Sequence, residues 1–260
     1  MKPLHFFFPL FFLCHAPLFA QKNYFQQAVN YDIEVRLDDE RHLLSGTATV
    51  EYQNNAPQPL DSIWFHLWIN AFQSKQSAFA RQQLRNGNTE FYFAEKKDLG
   101  GYESLEFESE GKKLDWNFDP KNPDIAVVRL PKPLKTGEKI IFKIPFTEKI
   151  PSSFSRPGHV GQSYQLSQWY PKPAVLDASG WHPMPYLDLG EFYSEFGNFD
   201  VRIALPSNYL VAATGVLQTE SELNFRAEKE AATRKLLESG FETSNEFPAS
   251  APDFKTVRFT

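Results

Sequence analysis

The sequence predicts a mainly β fold, an antiparallel β-sandwich or saddle domain with minor helical insertions. Three observations carry that prediction. Apolar residues alternate with period two in several short segments. Turn residues recur between those segments. No long helix separates the strand candidates up to residue 217, which argues for an antiparallel sandwich and against βαβ units.

Each element follows from its residues. From Tyr31 to Leu37, Tyr31, Ile33, Val35 and Leu37 share one face, and Asp32, Glu34 and Arg36 share the other. Asp38-Asp39-Glu40-Arg41 then reads as a polar turn. A second strand over 44–52 points Ala48, Val50 and Tyr52 inward. Ile63, Phe65, Leu67 and Ile69 alternate with Trp64, His66 and Trp68, so a strand here is bulky on both faces and expected to be covered on both. The 71–85 segment reads as a short helix plus loop, ended by Asn86-Gly87-Asn88. Four strand candidates follow at 105–108, 113–118, 125–130 and 139–146, separated by turns at Glu110-Gly111, Asp119-Pro120 and Thr136-Gly137. The segments 199–205 and 210–217 read as a late hairpin around Pro206-Ser207-Asn208. A helix over 223–239 has few apolar residues and is expected on the wet surface. Phe254 to Thr260 opens another strand, and its stopping there suggests a truncated chain.

Composition bounds the function. Hydrophobic residues make up 42% and charged residues 23% of 260, as in a soluble globular protein. The formal charge is -5 and the basic residues form no stripe, so nucleic acid is not expected as a partner. Residues 1–20 read as a secretory signal peptide: Lys2, an apolar run over 6–13, then small residues up to Ala20, with cleavage expected near Ala20. The run is too short to span a membrane, so no membrane span is expected. The protein is therefore expected to be exported, to the periplasm or beyond. The single cysteine, Cys14, lies in this segment, which leaves the exported chain no disulfide and no thiolate metal site.

The stretch from Tyr164 to Pro206 holds most of the candidate chemistry. Trp169, Tyr170, Trp181, His182 and Tyr186 crowd there between Pro171, Pro173, Pro183 and Pro185. Trp169, Trp181 and Tyr186 could stack on sugar rings or peptide side chains, or form a packed loop core. Glu191 and Glu195, four apart, could supply an acid and a base, or lie on a wet face. His159 and His182 sit where they could line a site, whereas His66 reads as a packed sheet histidine. No His-Glu-x-x-His, no Gly-x-Ser-x-Gly and no phosphate-binding glycine loop occurs.

Three stretches carry a family resemblance: YDIEVRLDDERHLLSGTATVEYQN, LDSIWFHLWINAF and SQWYPKPAVLDASGWHPMPYLDLGEFYSEFGNFDVRIALPSNYLVAATG. Together they cover most of residues 24–217, and the third is the most specific. The chain resembles the N-terminal β domain of the aminopeptidase N-like zinc metallopeptidases, in the exported variant of Bacteroidetes type. The resemblance implies a domain over 21–220, followed at 221–260 by a polar helix and the start of a strand leading to a catalytic domain. That missing domain, the chain's implied partner, would carry the zinc ligands, two His and a Glu; this chain has no cofactor of its own. The resemblance further implies a substrate-contacting Gln or Glu before Pro171, which Gln162 or Gln165 could be. The implied substrate is a peptide, and the site residues are Gln162, Gln165, Trp169, Trp181, His182, Tyr186 and Glu191. No catalytic residue and no metal ligand is assigned. The alternative reading is a free-standing secreted carbohydrate- or peptide-binding β module.

Overall fold

The computed structural model describes residues 24–240 and 248–260. The expected signal peptide lies outside the described residues. Two sheets share one hydrophobic core. The larger is built around Ala28–Asp38, Leu43–Gln53 and Lys139–Lys149, paired antiparallel in that order. The smaller runs Lys172–Pro173, Leu60–His66, Ile125–Leu134 and Trp116–Phe118, also antiparallel.

Period two decides which faces are buried. Tyr31, Ile33, Val35 and Leu37 point inward from the first strand, and Ala48, Val50 and Tyr52 from the second, as the sequence predicts, and Val29 extends the first face. Phe142, Ile144 and Phe146 continue this inner face. The opposing sheet answers with Ile63, Phe65, Ala126 and Val128. Phe65 lies between the layers, its ring 5.2 Å from Phe142 and 4.8 Å from Phe107. The outer face is charged: Arg202 bridges Asp32 at 2.8 Å and Glu34 at 2.9 Å.

The turns also follow the residues. The hairpin of Glu108–Ser109 and Lys112–Lys113 closes through Glu110 and Gly111, at φ 50° and 72°. Two successive positive φ values match the right-handed twist of the flanking strands.

Three expectations need correction. The Gly197–Pro206 strand pairs with Ala28–Asp38 in parallel, so the large sheet is mixed. Tyr31 and Phe199 are partners in that register, and their rings stack at 4.4 Å and 7°. A parallel pair can be formed only by a long crossover, here some 160 residues, which local pattern does not reveal. The 210–217 segment is not a strand; Gly197–Pro206 takes Phe254–Phe259 as its antiparallel neighbour instead. The third strand ends at His66, and Trp68–Phe72 forms a 3-10 turn with all five residues buried. Its apolar side chains fill the core as a turn, a case alternation cannot separate from a strand covered on both faces.

Two helices, α1 (Ala78–Arg85) and α2 (Glu90–Phe93), follow this turn. Ser77 caps α1 by accepting the Ala80 N–H at 3.1 Å. Phe72, Phe79 and Phe91 pack beneath them at centroid distances of 4.7 and 5.1 Å. The long helix α3 (Glu220–Glu238) is exposed along nearly all its length, as expected, and is tied down by buried Glu222, whose carboxylate meets Lys255 at 2.6 Å.

Truncation of Phe65, which is 0% exposed, leaves a cavity between the sheets. Phe65→Ala is expected to cost about 3–5 kcal/mol, whereas Ile141→Ala on the outer face should stay within about 0.5 kcal/mol. Urea denaturation checks the contrast, and equal losses would contradict the layer assignment.

Candidate functional site

Before the Gly197–Pro206 strand, the stretch from residue 166 holds only strands of two or three residues, yet it is fastened to the small sheet and its neighbours at successive points. Lys172–Pro173 pairs with the free edge of Leu60–His66, and the Ala174 N–H extends the ladder to the Trp64 carbonyl at 2.8 Å. Met184 is held at both backbone groups. Its N–H donates to His66 Nε2 at 3.1 Å, and its carbonyl accepts from Trp68 Nε1 at 2.8 Å. The two clamping rings stack at 4.3 Å and 15°. Two residues on, the Tyr186 N–H donates to Asp124 Oδ2 at 2.6 Å. Gln82 Oε1 then accepts from the backbone of Asp188 and Leu189 at 2.7 and 3.0 Å.

Electrostatics explains the protonation of these fasteners. His66 is fully buried, and burial first, then the Lys172 charge, pushes its pKa down to about 3. A neutral ring protonated at Nδ1 leaves Nε2 free to accept, as the Met184 bond requires. Burial pushes the Asp124 carboxyl up to about 6, against the downward pull of the Tyr186 N–H.

Beneath the stretch lies a residue that the sequence reading passed over. Lys172 is only 4% exposed. Its ammonium lies 4.4 Å from the Tyr170 ring centroid and 4.8 Å from that of Trp68, and it donates to Gln168 Oε1. Gln168 reaches it from a left-handed backbone, φ 59°. Burial pushes the Lys172 pKa down to about 7. Two aromatic faces and one amide oxygen stabilise a cation less than a carboxylate would. The sequence carried one signal, a lysine locked between Pro171 and Pro173 among aromatic rings.

The predicted site residues do not form one cluster. Gln162 and Gln165 lie on a hairpin of Gly158–Val160 and Ser163–Gln165. Gln162 Nε2 donates to Ser250 Oγ at 3.0 Å and to Asp39 Oδ2 at 3.4 Å, while Gln165 is exposed. Trp169 is half-buried against Phe146, and its carbonyl accepts from the Tyr102 hydroxyl at 2.9 Å. Trp181 and His182 share the hairpin of Val175–Asp177 and Gly180–His182. His182 Nε2 meets Asp177 Oδ1 at 2.9 Å, and the His182 bond is the leading cause holding the Asp177 carboxyl below its usual range. Tyr186 is 0% exposed, packed on Phe72 at 5.1 Å and Phe192 at 5.3 Å. Glu191 is exposed. Glu195 is half-buried, raised by burial, and bonded by Gln26 and Gln27.

The arrangement offers a rigid aromatic surface with polar groups on adjoining hairpins. Among the described residues no three His, Cys, Asp or Glu side chains come together as a metal ion needs. No helix among them is long and apolar enough to cross a membrane.

Lys172 makes a test of this geometry. An amine whose pKa is depressed in the folded state contributes stability that is full above about pH 10.4 and is lost as pH falls through about 7. Lys172→Met keeps the stem and removes the charge, so its stability relative to the native chain should rise as pH is lowered from 10 to 6. Thermal melts across that range check this. A pH-independent difference would show that the amine is not desolvated.

Among known protein families and curated proteins, no match to this chain is found. Among solved structures it is similar to an M1 zinc metallopeptidase from Deinococcus radiodurans, with TM-score 0.43 and 18% identity over 92% of this chain and 39% of that one. A mutant of that enzyme bound to a Tyr-Ser-Ala substrate gives TM-score 0.45 and 17% identity over 90% and 39%. The chain thus spans about two fifths of the length of those chains.

Proposed function

We propose that this chain is the non-catalytic N-terminal part of an exported zinc-dependent aminopeptidase of the aminopeptidase N-like family, which removes N-terminal residues from peptides. The observation that carries this reading is the third resemblance stretch. It is fastened at residues 172–174 and Met184 to the Leu60–His66 strand, at Tyr186 to Asp124, and at 188–189 to Gln82 of α1. A rigid wall suits a domain that shapes a substrate channel while another domain does the chemistry. Gln162 and Gln165, on the neighbouring 158–165 hairpin, are the residues proposed to meet a peptide. Either Gln could bond a substrate carbonyl or amino end.

Zinc belongs to the following domain in this reading. The described residues of this chain supply no ligand set for it, so no step through the metal is assigned here. The alternative of a free-standing carbohydrate- or peptide-binding module loses one of its three stacking rings, because Tyr186 lies in the core, while Trp169 and Trp181 are half-buried against it.

Purified residues 21–260 are expected neither to hydrolyse an aminoacyl chromogenic substrate nor to retain equimolar zinc after dialysis. The reading frame beyond codon 260 is expected to encode a His-Glu-x-x-His. Hydrolysis by the isolated chain, or a frame that closes there, would overturn the reading.

A further inference from the structure

Two imidazoles outside the aromatic wall lie face to face. His42 closes the turn after Ala28–Asp38 in a left-handed backbone, φ 54°. His159 lies on the 158–165 hairpin. Their centroids are 3.6 Å apart and their planes 16° from parallel. Tyr164 of the same hairpin sits beside them, its hydroxyl 2.7 Å from His42 Nδ1 and 3.1 Å from the Asp39 carbonyl. The stack therefore joins the hairpin to the turn. Nearly parallel rings at this spacing cannot both aim a nitrogen lone pair at one metal ion, since a ligated metal lies about 2 Å from nitrogen in each ring plane. Two neutral rings stack well, but two imidazolium ions at this distance repel, so the second proton is taken up only if the rings part.

We propose that the His42–His159 stack is a pH-sensitive latch: it holds the 158–165 hairpin against the 38–42 turn at neutral pH and releases it when both imidazoles are protonated. Within its own hairpin, His159 Nδ1 lies 3.1 Å from the Gly161 carbonyl, which favours a charged His159. Asp38 and Asp39 on the turn favour a charged His42, and Asp98 favours a charged His159, while Lys149 on the neighbouring strand opposes both. The Tyr164 ring lies 5.9 Å from that of His42, and Tyr209 lies 6.3 Å beyond Tyr164. Burial is the leading cause that lowers both histidine pKa values, and the mutual repulsion adds to it at His42. The hairpin carries Gln162 and Gln165, so acidification would displace the two amides proposed to meet a peptide. That last consequence rests on the proposed function; the latch does not.

The test is an NMR titration of the two imidazoles in the purified chain, with amide protection factors for residues 158–165 measured at pH 7.5 and 5 and normalised for intrinsic exchange. The latch predicts two coupled steps, the second at least about one pH unit below the first, and hairpin protection lower by about tenfold at pH 5. In His159→Gln, His42 should titrate in one step at higher pH, and hairpin protection should lose its pH dependence. Independent single midpoints, or protection that does not follow the titration in the native chain, would overturn the latch whether or not the chain belongs to a peptidase.

Discussion

The clamp on Met184 is the interaction on which the rest of the arrangement depends. One residue has its N–H taken by His66 and its carbonyl by Trp68, and the two clamping rings stack on each other. This does the work of a β ladder without a strand. A loop rich in prolines, which lack the amide proton that a ladder needs, is thereby held as firmly as a sheet edge. The clamp packs against the hydrophobic core with Met184 half-buried, and losing either partner leaves a partly buried backbone group unpaired.

The clamp also links the two halves of the molecule. Trp68 packs on Phe192 at 4.6 Å and receives the Lys172 ammonium on its face. Lys172 meets Tyr170, and Tyr170 sets its edge on Tyr31 and Phe199, the stacked pair that seals the parallel strands. A continuous path of rings therefore runs from the small sheet to the parallel seam of the large one. A wall built this way needs no disulfide.

Much of the fold could be read directly. Strict alternation at Tyr31, Ile33, Val35 and Leu37 admits one inward face, and Glu110-Gly111 admits a tight turn. The failures have physical causes. Parallel pairing of Val29 with Gly197 depends on contacts far apart in sequence. The alternation through Leu67 and Ile69 runs into a turn, Trp68–Phe72, whose five residues are all buried. The site was less legible than the fold. Lys172 looks like a surface charge unless its proline and aromatic neighbours are weighed together. The period-two reading also had a signal that went unused: Phe142, Ile144 and Phe146 point inward, and the next residue in that series is Glu148, which is 0% exposed and pushed well above the usual carboxylate range by burial.

The central claim is that the 164–206 stretch is a wall and not a mobile loop. Hydrogen exchange at the Met184 and Tyr186 amides tests it most directly. If the account holds, both amides exchange as slowly as those of the paired strand Leu60–His66, and His66→Phe accelerates Met184 by at least tenfold while leaving the 28–38 strand unchanged. Exchange of Met184 at the rate of an unstructured loop in the native chain would contradict it.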